Sequence, residues 1–151
     1  MSIQIGDQLP HFSSVKQDGT DFDSLSIKHK PVVIYFYPKD NTPGCTTQAC
    51  SFRDAYQDFQ DLGAEVIGVS GDSVRSHQGF QQKYKLPFVL LSDENRKLRK
   101  LFGVPTALFG LIPGRVTYVF NASGKCIYIF DSLSARAVSY THLRAHETVL
   151  D

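Results

Sequence analysis

The 151-residue chain has no long hydrophobic run, no excess of either charge and only three cysteines. Its uncharged apolar stretches fall far short of the ~20 residues a membrane-spanning helix needs, which excludes a transmembrane protein. Lys and Arg total 16 against 15 Asp and Glu, and the two signs are interspersed. That leaves no electrostatic footprint for nucleic acid. An odd number of cysteines argues against a disulfide-stapled secreted domain and for a reducing compartment. The opening MSIQIGDQLPHF lacks the basic and apolar regions of a secretory signal. No internal repeat, low-complexity tract, linker or glycine-rich phosphate loop is found. Cys45 and Cys50 have no second Cys/His pair, so no zinc site is expected, and the C-x-x-C of disulfide reductases is missing. What survives is one soluble domain, expected in the cytoplasm, long enough to bury its own core.

Two apolar runs rich in β-branched and aromatic residues, Pro31–Tyr37 and Ala64–Ser70, read as strands covered on both faces, as in a parallel sheet flanked by helices. Between them, Ala49, Phe52, Tyr56 and Phe59 recur at helical spacing over Cys45–Leu62, and Gly63 supplies the stop. Ser73–Tyr84 and Glu94–Phe102 are further helices, and Phe88–Leu91 is a third core strand. Arg115–Phe120 and Lys125–Phe130 form an antiparallel pair joined through Asn121–Gly124. An N-terminal hairpin turns at Gln17-Asp18-Gly19. Helices alternating with strands, closed by an antiparallel pair, give an α/β fold with a mixed central sheet flanked by helices.

After Arg136 the chain reads AVSYTHLRAHETVLD, with little amphipathicity and no continuity with what precedes it. Ala137–Thr148 resembles the translation of a common sequencing-library adapter. The expected organisation is therefore a domain over 1–136 and a non-native read-through segment over 137–151, set aside for fold and site reasoning. His142 and His146 have metal-ligand spacing but fall in that segment.

The chemistry-bearing stretch is Tyr35–Cys50, FYPKDNTPGCTTQAC after its first tyrosine. It leaves a buried strand, turns through Pro38, Pro43 and Gly44, and starts a helix at about Cys45. A cysteine in a first helical turn meets outward-pointing N–H groups and the positive end of the helix dipole. Both attract an anionic sulfur, and the thiolate is the nucleophile. Thr42 stands where it caps the turn or offers a hydroxyl beside that sulfur. The prolines stiffen the loop. A lone cysteine is more often a small buried hydrophobe than a nucleophile, so the surrounding pattern has to carry the reading.

That pattern resembles the peroxiredoxins, in particular the peroxiredoxin Q / bacterioferritin comigratory protein group. The family signature P-x-x-x-T-x-x-C stands here as Pro38, Thr42 and Cys45, and further matches are Phe12–Gly19, Gly68–Asp72, Leu86–Asp93 and Pro113–Tyr118. The resemblance covers residues 3–131. It implies a thioredoxin-like fold and a thiol-dependent peroxidase that needs no cofactor, reducing hydrogen peroxide and organic hydroperoxides. It makes Cys45 the peroxidatic cysteine, with Thr42 bonding the peroxide and Pro38 shielding the pocket. Arg115 matches the arginine that contacts sulfur and peroxide. Gln48 occupies a position that helps order the helix, and Cys50 matches the resolving cysteine of many members. If Cys50 is only packing, an external thiol resolves the sulfenic acid.

Five residues along an intact helix hold Cα atoms about 8–9 Å apart, so the two sulfurs join only if the first turns unwind. Cys126 is expected to be a buried structural thiol. Leu108–Ile112 lines an entrance or belongs to the core, and the sequon Asn121-Ala-Ser123 has no bearing in a signal-less chain. Expected partners are a hydroperoxide and thioredoxin or a similar dithiol, for a monomer in the cytoplasm or a mature plastid form. The alternative is a thioredoxin-fold binding module or an inactive truncated fragment, because the family's further C-terminal helix is replaced by the 137–151 segment.

Overall fold

A computed structural model describes residues 2–107 and 112–130; the 137–151 segment, His142, His146 and most of the Leu108–Ile112 run lie outside the described residues. The order of elements is β1 (Ser13–Lys16), β2 (Asp21–Asp23), a short 3₁₀ turn (Ser24–Ile27), β3 (Val32–Phe36), α1 (Pro43–Asp61), β4 (Glu65–Ser70), α2 (Val74–Tyr84), β5 (Val89–Ser92), α3 (Lys97–Phe102), β6 (Thr106–Ala107), β7 (Ile112–Pro113), β8 (Val116–Phe120) and β9 (Cys126–Phe130).

Seven strands form one sheet in the order β2-β1-β5-β4-β3-β8-β9, and β6 pairs with β7 apart from it. β3, β4 and β5 run parallel, while β8 lies antiparallel to β3 and β9 antiparallel to β8. This is the mixed sheet expected from the pattern. The N-terminal hairpin forms as read, with Gly19 at φ +84 in its turn. One pairing was not foreseen: β1 adds to the sheet antiparallel to β5.

The continuous apolar run of β3 has a simple cause. Val33, Tyr35 and Tyr37 face one core, where Phe52 and Phe59 of α1 and Phe80 of α2 close over them. Val32, Ile34 and Phe36 face the other, with Leu98 and Phe102 of α3, Phe12, Phe22 and Tyr118. Alternation survives, but both faces are buried, so hydropathy does not alternate. Gly68 of β4 sits opposite Tyr35. A Cβ there would lie 2.8 Å from Tyr35 Cζ and 2.9 Å from Leu90 Cδ2, so the glycine is the space the tyrosine ring occupies. Among the described residues no helix is long and apolar enough to cross a membrane.

Candidate active site

The site grows from the end of β3. Tyr37 continues the strand by donating its N–H to Val69 O at 3.0 Å, and the chain then turns away from the sheet. Asn41 takes a left-handed conformation, φ 64, which asparagine tolerates better than most residues. Thr42 is extended, and its carbonyl accepts from Thr46 N at 2.8 Å. Pro43 opens the helix, where its missing N–H leaves no bond unmade. The helix therefore starts two residues earlier than the spacing predicted, and Cys45 is its third residue.

Thr42 stands at the capping position but caps nothing with its side chain. Its hydroxyl donates to Lys39 O at 2.9 Å, closing the turn on itself. Of the two roles the sequence offered, the side-chain cap is not made: the hydroxyl is turned back toward Lys39 rather than toward the N–H groups of the first turn. Pro38 is half-buried within the same turn.

Cys45 is only 1% exposed. Arg115 Nη2 lies 3.3 Å from its Sγ, and Arg115 Nη1 donates to Gln48 Oε1 at 2.6 Å. Gln48, on the next turn of α1, is fully buried and so braces the guanidinium from below. Sheet register explains how a residue so distant in sequence arrives here. Phe36 pairs with Val116, so Arg115 falls just past the end of β3, where α1 begins. Gly114 precedes it against the backbone of Pro105, whose carbonyl oxygen would collide with any Cβ at that position. Arg99 Nη1 donates to Gly114 O at 3.3 Å and further fixes the segment. A fixed cation and the start of a helix thus converge on one sulfur, an arrangement suited to an anionic nucleophile and to charge developing on an atom bound beside it.

All three cysteines are free thiols. Cys50 is half-buried one and a half turns along α1, which runs unbroken past it. The intact helix holds the two Cα atoms about 8–9 Å apart, beyond disulfide reach. Cys126 is fully buried on β9. Burial pushes its thiol up to about 11, as expected of a structural cysteine.

The sequence did not single out the polar cluster beneath the turn. Tyr37 donates its O–H to Asp40 Oδ1 at 2.6 Å. Ser76 Oγ donates to Asp40 Oδ2 at 2.9 Å, and His77 Nδ1 lies 2.7 Å from the same oxygen. His77 Nε2 is 2.9 Å from Leu91 O. Asp40 N donates to Asp72 Oδ2 at 2.8 Å, and Ser70 Oγ donates to that oxygen too. Burial and the neighbouring Asp40 charge hold the Tyr37 phenol well above its ordinary range. Tyr35, also fully buried and stacked on Phe52 at 4.8 Å, has a hydroxyl without a hydrogen-bond partner among the described residues. A signal existed for His77. It shares the inward face of α2 with Phe80, three residues on, and a polar residue in that phase needs a buried partner.

Residues 5–129 match the AhpC/TSA family. Peroxiredoxin Q, chloroplastic, of Oryza sativa subsp. japonica is 54% identical over 130 residues, 86% of this chain and 60% of that protein. The chain thus spans about 60% of the length of the rice proteins it matches. Among solved structures, peroxidoxin BcpB of Mycobacterium tuberculosis superposes with a TM-score of 0.85 at 33% identity, covering 95% of this chain and 97% of that one. Bacterioferritin comigratory protein of Xanthomonas campestris, solved in a study of its alkyl peroxide reduction, gives 0.81 at 29% identity, covering 93% and 99%.

Proposed function

The chain belongs to the AhpC/TSA family with a thioredoxin-like peroxiredoxin fold, and from that premise we propose that it is a thiol-dependent peroxidase acting through Cys45. The observation that carries the reading is the 3.3 Å approach of Arg115 Nη2 to Cys45 Sγ at the start of α1. Cys45 attacks as thiolate on one peroxide oxygen. The O–O bond breaks, the sulfur becomes a sulfenic acid, and the leaving oxygen takes up a proton as water or alcohol. Arg115 faces the charge that passes from sulfur to the leaving oxygen. Thr42 and Pro38 line the turn beside the thiol, with the Thr42 hydroxyl oxygen able to accept from a bound hydroperoxide.

Cys50 then attacks the sulfenic sulfur and expels water, forming a disulfide once the first turns of α1 have unwound. A dithiol protein of the thioredoxin kind restores both thiols by exchange. Hydrogen peroxide and organic hydroperoxides are the substrates, and the alkyl peroxide reduction named for the Xanthomonas protein supports the second class. No cofactor is needed, since sulfur undergoes the redox change. The working form is a monomer built on residues 1–136, with 137–151 a non-native addition. Cytoplasm is the compartment the sequence favours, and the chloroplastic naming of the rice relative supports a plastid form.

The deciding experiment is intact mass and peptide mapping after the reduced protein meets one equivalent of hydrogen peroxide. A Cys45–Cys50 disulfide supports both roles. A sulfenic or sulfinic Cys45 keeps the peroxidase and removes Cys50. An unmodified Cys45 leaves the fold without this function.

A further inference from the structure

The cluster under the turn ties three elements together at one carboxylate. Asp40 lies in the turn itself, between Pro38 and Thr42. Its Oδ1 accepts from Tyr37 and its Oδ2 faces both Ser76 Oγ and His77 Nδ1. Asp40 is 4% exposed and His77 fully buried, so no solvent competes for these bonds. On the far side of the ring, His77 Nε2 faces the carbonyl of Leu91 on β5. A carbonyl only accepts, so Nε2 carries a proton. Nδ1 faces the Asp40 carboxyl at 2.7 Å, and with Asp40 ionised, accepting only, the proton between them lies on the ring. Asp72 belongs to the same group, its carboxylate receiving Asp40 N and Ser70 Oγ. A metal ion among Asp40, Asp72 and His77 would have to displace these donors, which disfavours a cation site.

We propose that Asp40 and His77 form a buried, doubly hydrogen-bonded ion pair that positions the Pro38–Thr42 turn over Cys45, making His77 a positioning residue for peroxide capture. The side-chain hydrogen bonds of His77 run to Asp40 and Leu91, with Tyr37 at 3.5 Å, and not to the sulfur. Its action passes through Asp40 to the turn, and from Thr42 to the first turn of α1. The turn is held to α2 by the Asp40 side chain and to the loop after β4 by its N–H. The pair also marks an upstream limit for any unwinding of α1, because Asp40 stays pinned to α2.

The inference rests on the peroxidase reading, and the test separates the two. The rate of Cys45 oxidation by hydrogen peroxide is compared with its alkylation by iodoacetamide in wild type, His77→Leu, His77→Asn and Tyr37→Phe, all as the reduced full chain. Alkylation needs only the thiolate, whereas peroxide reduction needs the turn in place. The expected result for His77→Leu is about a tenfold or greater loss of peroxide rate with alkylation within about twofold. His77→Asn, whose amide can donate to Asp40, recovers part of the loss.

If His77→Leu does not fold, Tyr37→Phe decides, with a peroxide-selective loss of about threefold or more expected. In parallel, nitrogen-15 NMR of the reduced wild type should show two protonated ring nitrogens assigned to His77 by their disappearance in His77→Asn. A bare ring nitrogen, a wild-type peroxide rate in both His77→Asn and Tyr37→Phe, or equal losses of peroxide and alkylation rates overturns the proposal. A wild type that alkylates at Cys45 but consumes no peroxide sinks the peroxidase reading instead, and the ring-nitrogen shifts still decide the ion pair.

Discussion

Val116 pairs with Phe36 across the β3–β8 ladder, and this single register brings Arg115 to the sulfur of Cys45. A slip of one residue would turn the side chains of β8 to opposite faces and carry the guanidinium away from the helix start.

Arg115→Lys keeps a positive charge but loses the planar fork that reaches Cys45 and Gln48 together. The second-order rate of Cys45 with hydrogen peroxide, followed by stopped-flow fluorescence, is expected to drop about 10²-fold with the thermal midpoint little changed. Gln48→Ala, which frees one guanidinium nitrogen and leaves Cys45 its contact, should cost less. An Arg115→Lys rate within a factor of two of wild type would remove the guanidinium from the chemistry.

Gly114→Ala tests the backbone that aims Arg115. A Cβ at this position runs into the Pro105 carbonyl, so either the 105–106 segment or the Arg115 backbone must move. Peroxide rate and unfolding free energy should fall together, the second by about 1–3 kcal/mol. An unaffected rate in a folded variant would show that the segment yields without disturbing the arginine.

The Tyr35–Gly68 contact predicts opposite signs for two substitutions. Gly68→Ala pushes a methyl to within 3 Å of the Tyr35 ring and of Leu90, and should destabilise by about 1–3 kcal/mol. Tyr35→Phe removes a buried hydroxyl that lacks a partner among the described residues, and should leave stability unchanged or raise it by about 1 kcal/mol. Urea denaturation of both variants reads the two effects. A large loss in Tyr35→Phe would mean the hydroxyl has a partner in solution.

Much of this was legible in the chain. Phe52 and Phe59 at helical spacing located α1, and the β-branched runs located β3 and β4. The turn motif marked Cys45, and Arg115 followed from the motif beside it. What stayed hidden depended on partners far away in sequence. Nothing near Ser13–Lys16 shows that it will pair with β5, because edge addition leaves no local mark. Asp40 and His77 are separated by a strand and a helix, and each looks ordinary alone. The sequence leaves open whether Thr42 caps the helix with its side chain, because hydroxyl direction depends on the exact path of the turn, which residue types do not specify.

The Cys126 thiol, lifted to about 11 by burial against an ordinary value of 9.0, makes stability fall at alkaline pH. Below pH 9 the thiol is protonated in both states and contributes nothing to the pH dependence. Between 9 and about 11 the unfolded chain loses this proton first, so it binds fewer protons than the folded one, and stability declines as pH rises. The urea midpoint of wild type should drop over this window more steeply than that of Cys126→Ala. Identical slopes would place the thiol in contact with solvent.

Formation of the Cys45–Cys50 disulfide requires loss of the first turns of α1. Amide hydrogen exchange at Thr46–Ser51 should therefore be faster in the oxidised protein than in the reduced one, with β3 and β4 unchanged. Equal protection in the two redox states would contradict the unwinding.

Seventy positions separate Cys45 from the arginine beside it. During synthesis at about 5–20 residues per second, the cysteine precedes its cation by about 4–14 s. Until then neither the arginine that Gln48 holds nor β8 is in place. On the peroxidase reading proposed above, peroxide reactivity would begin only once the last antiparallel strands close onto β3.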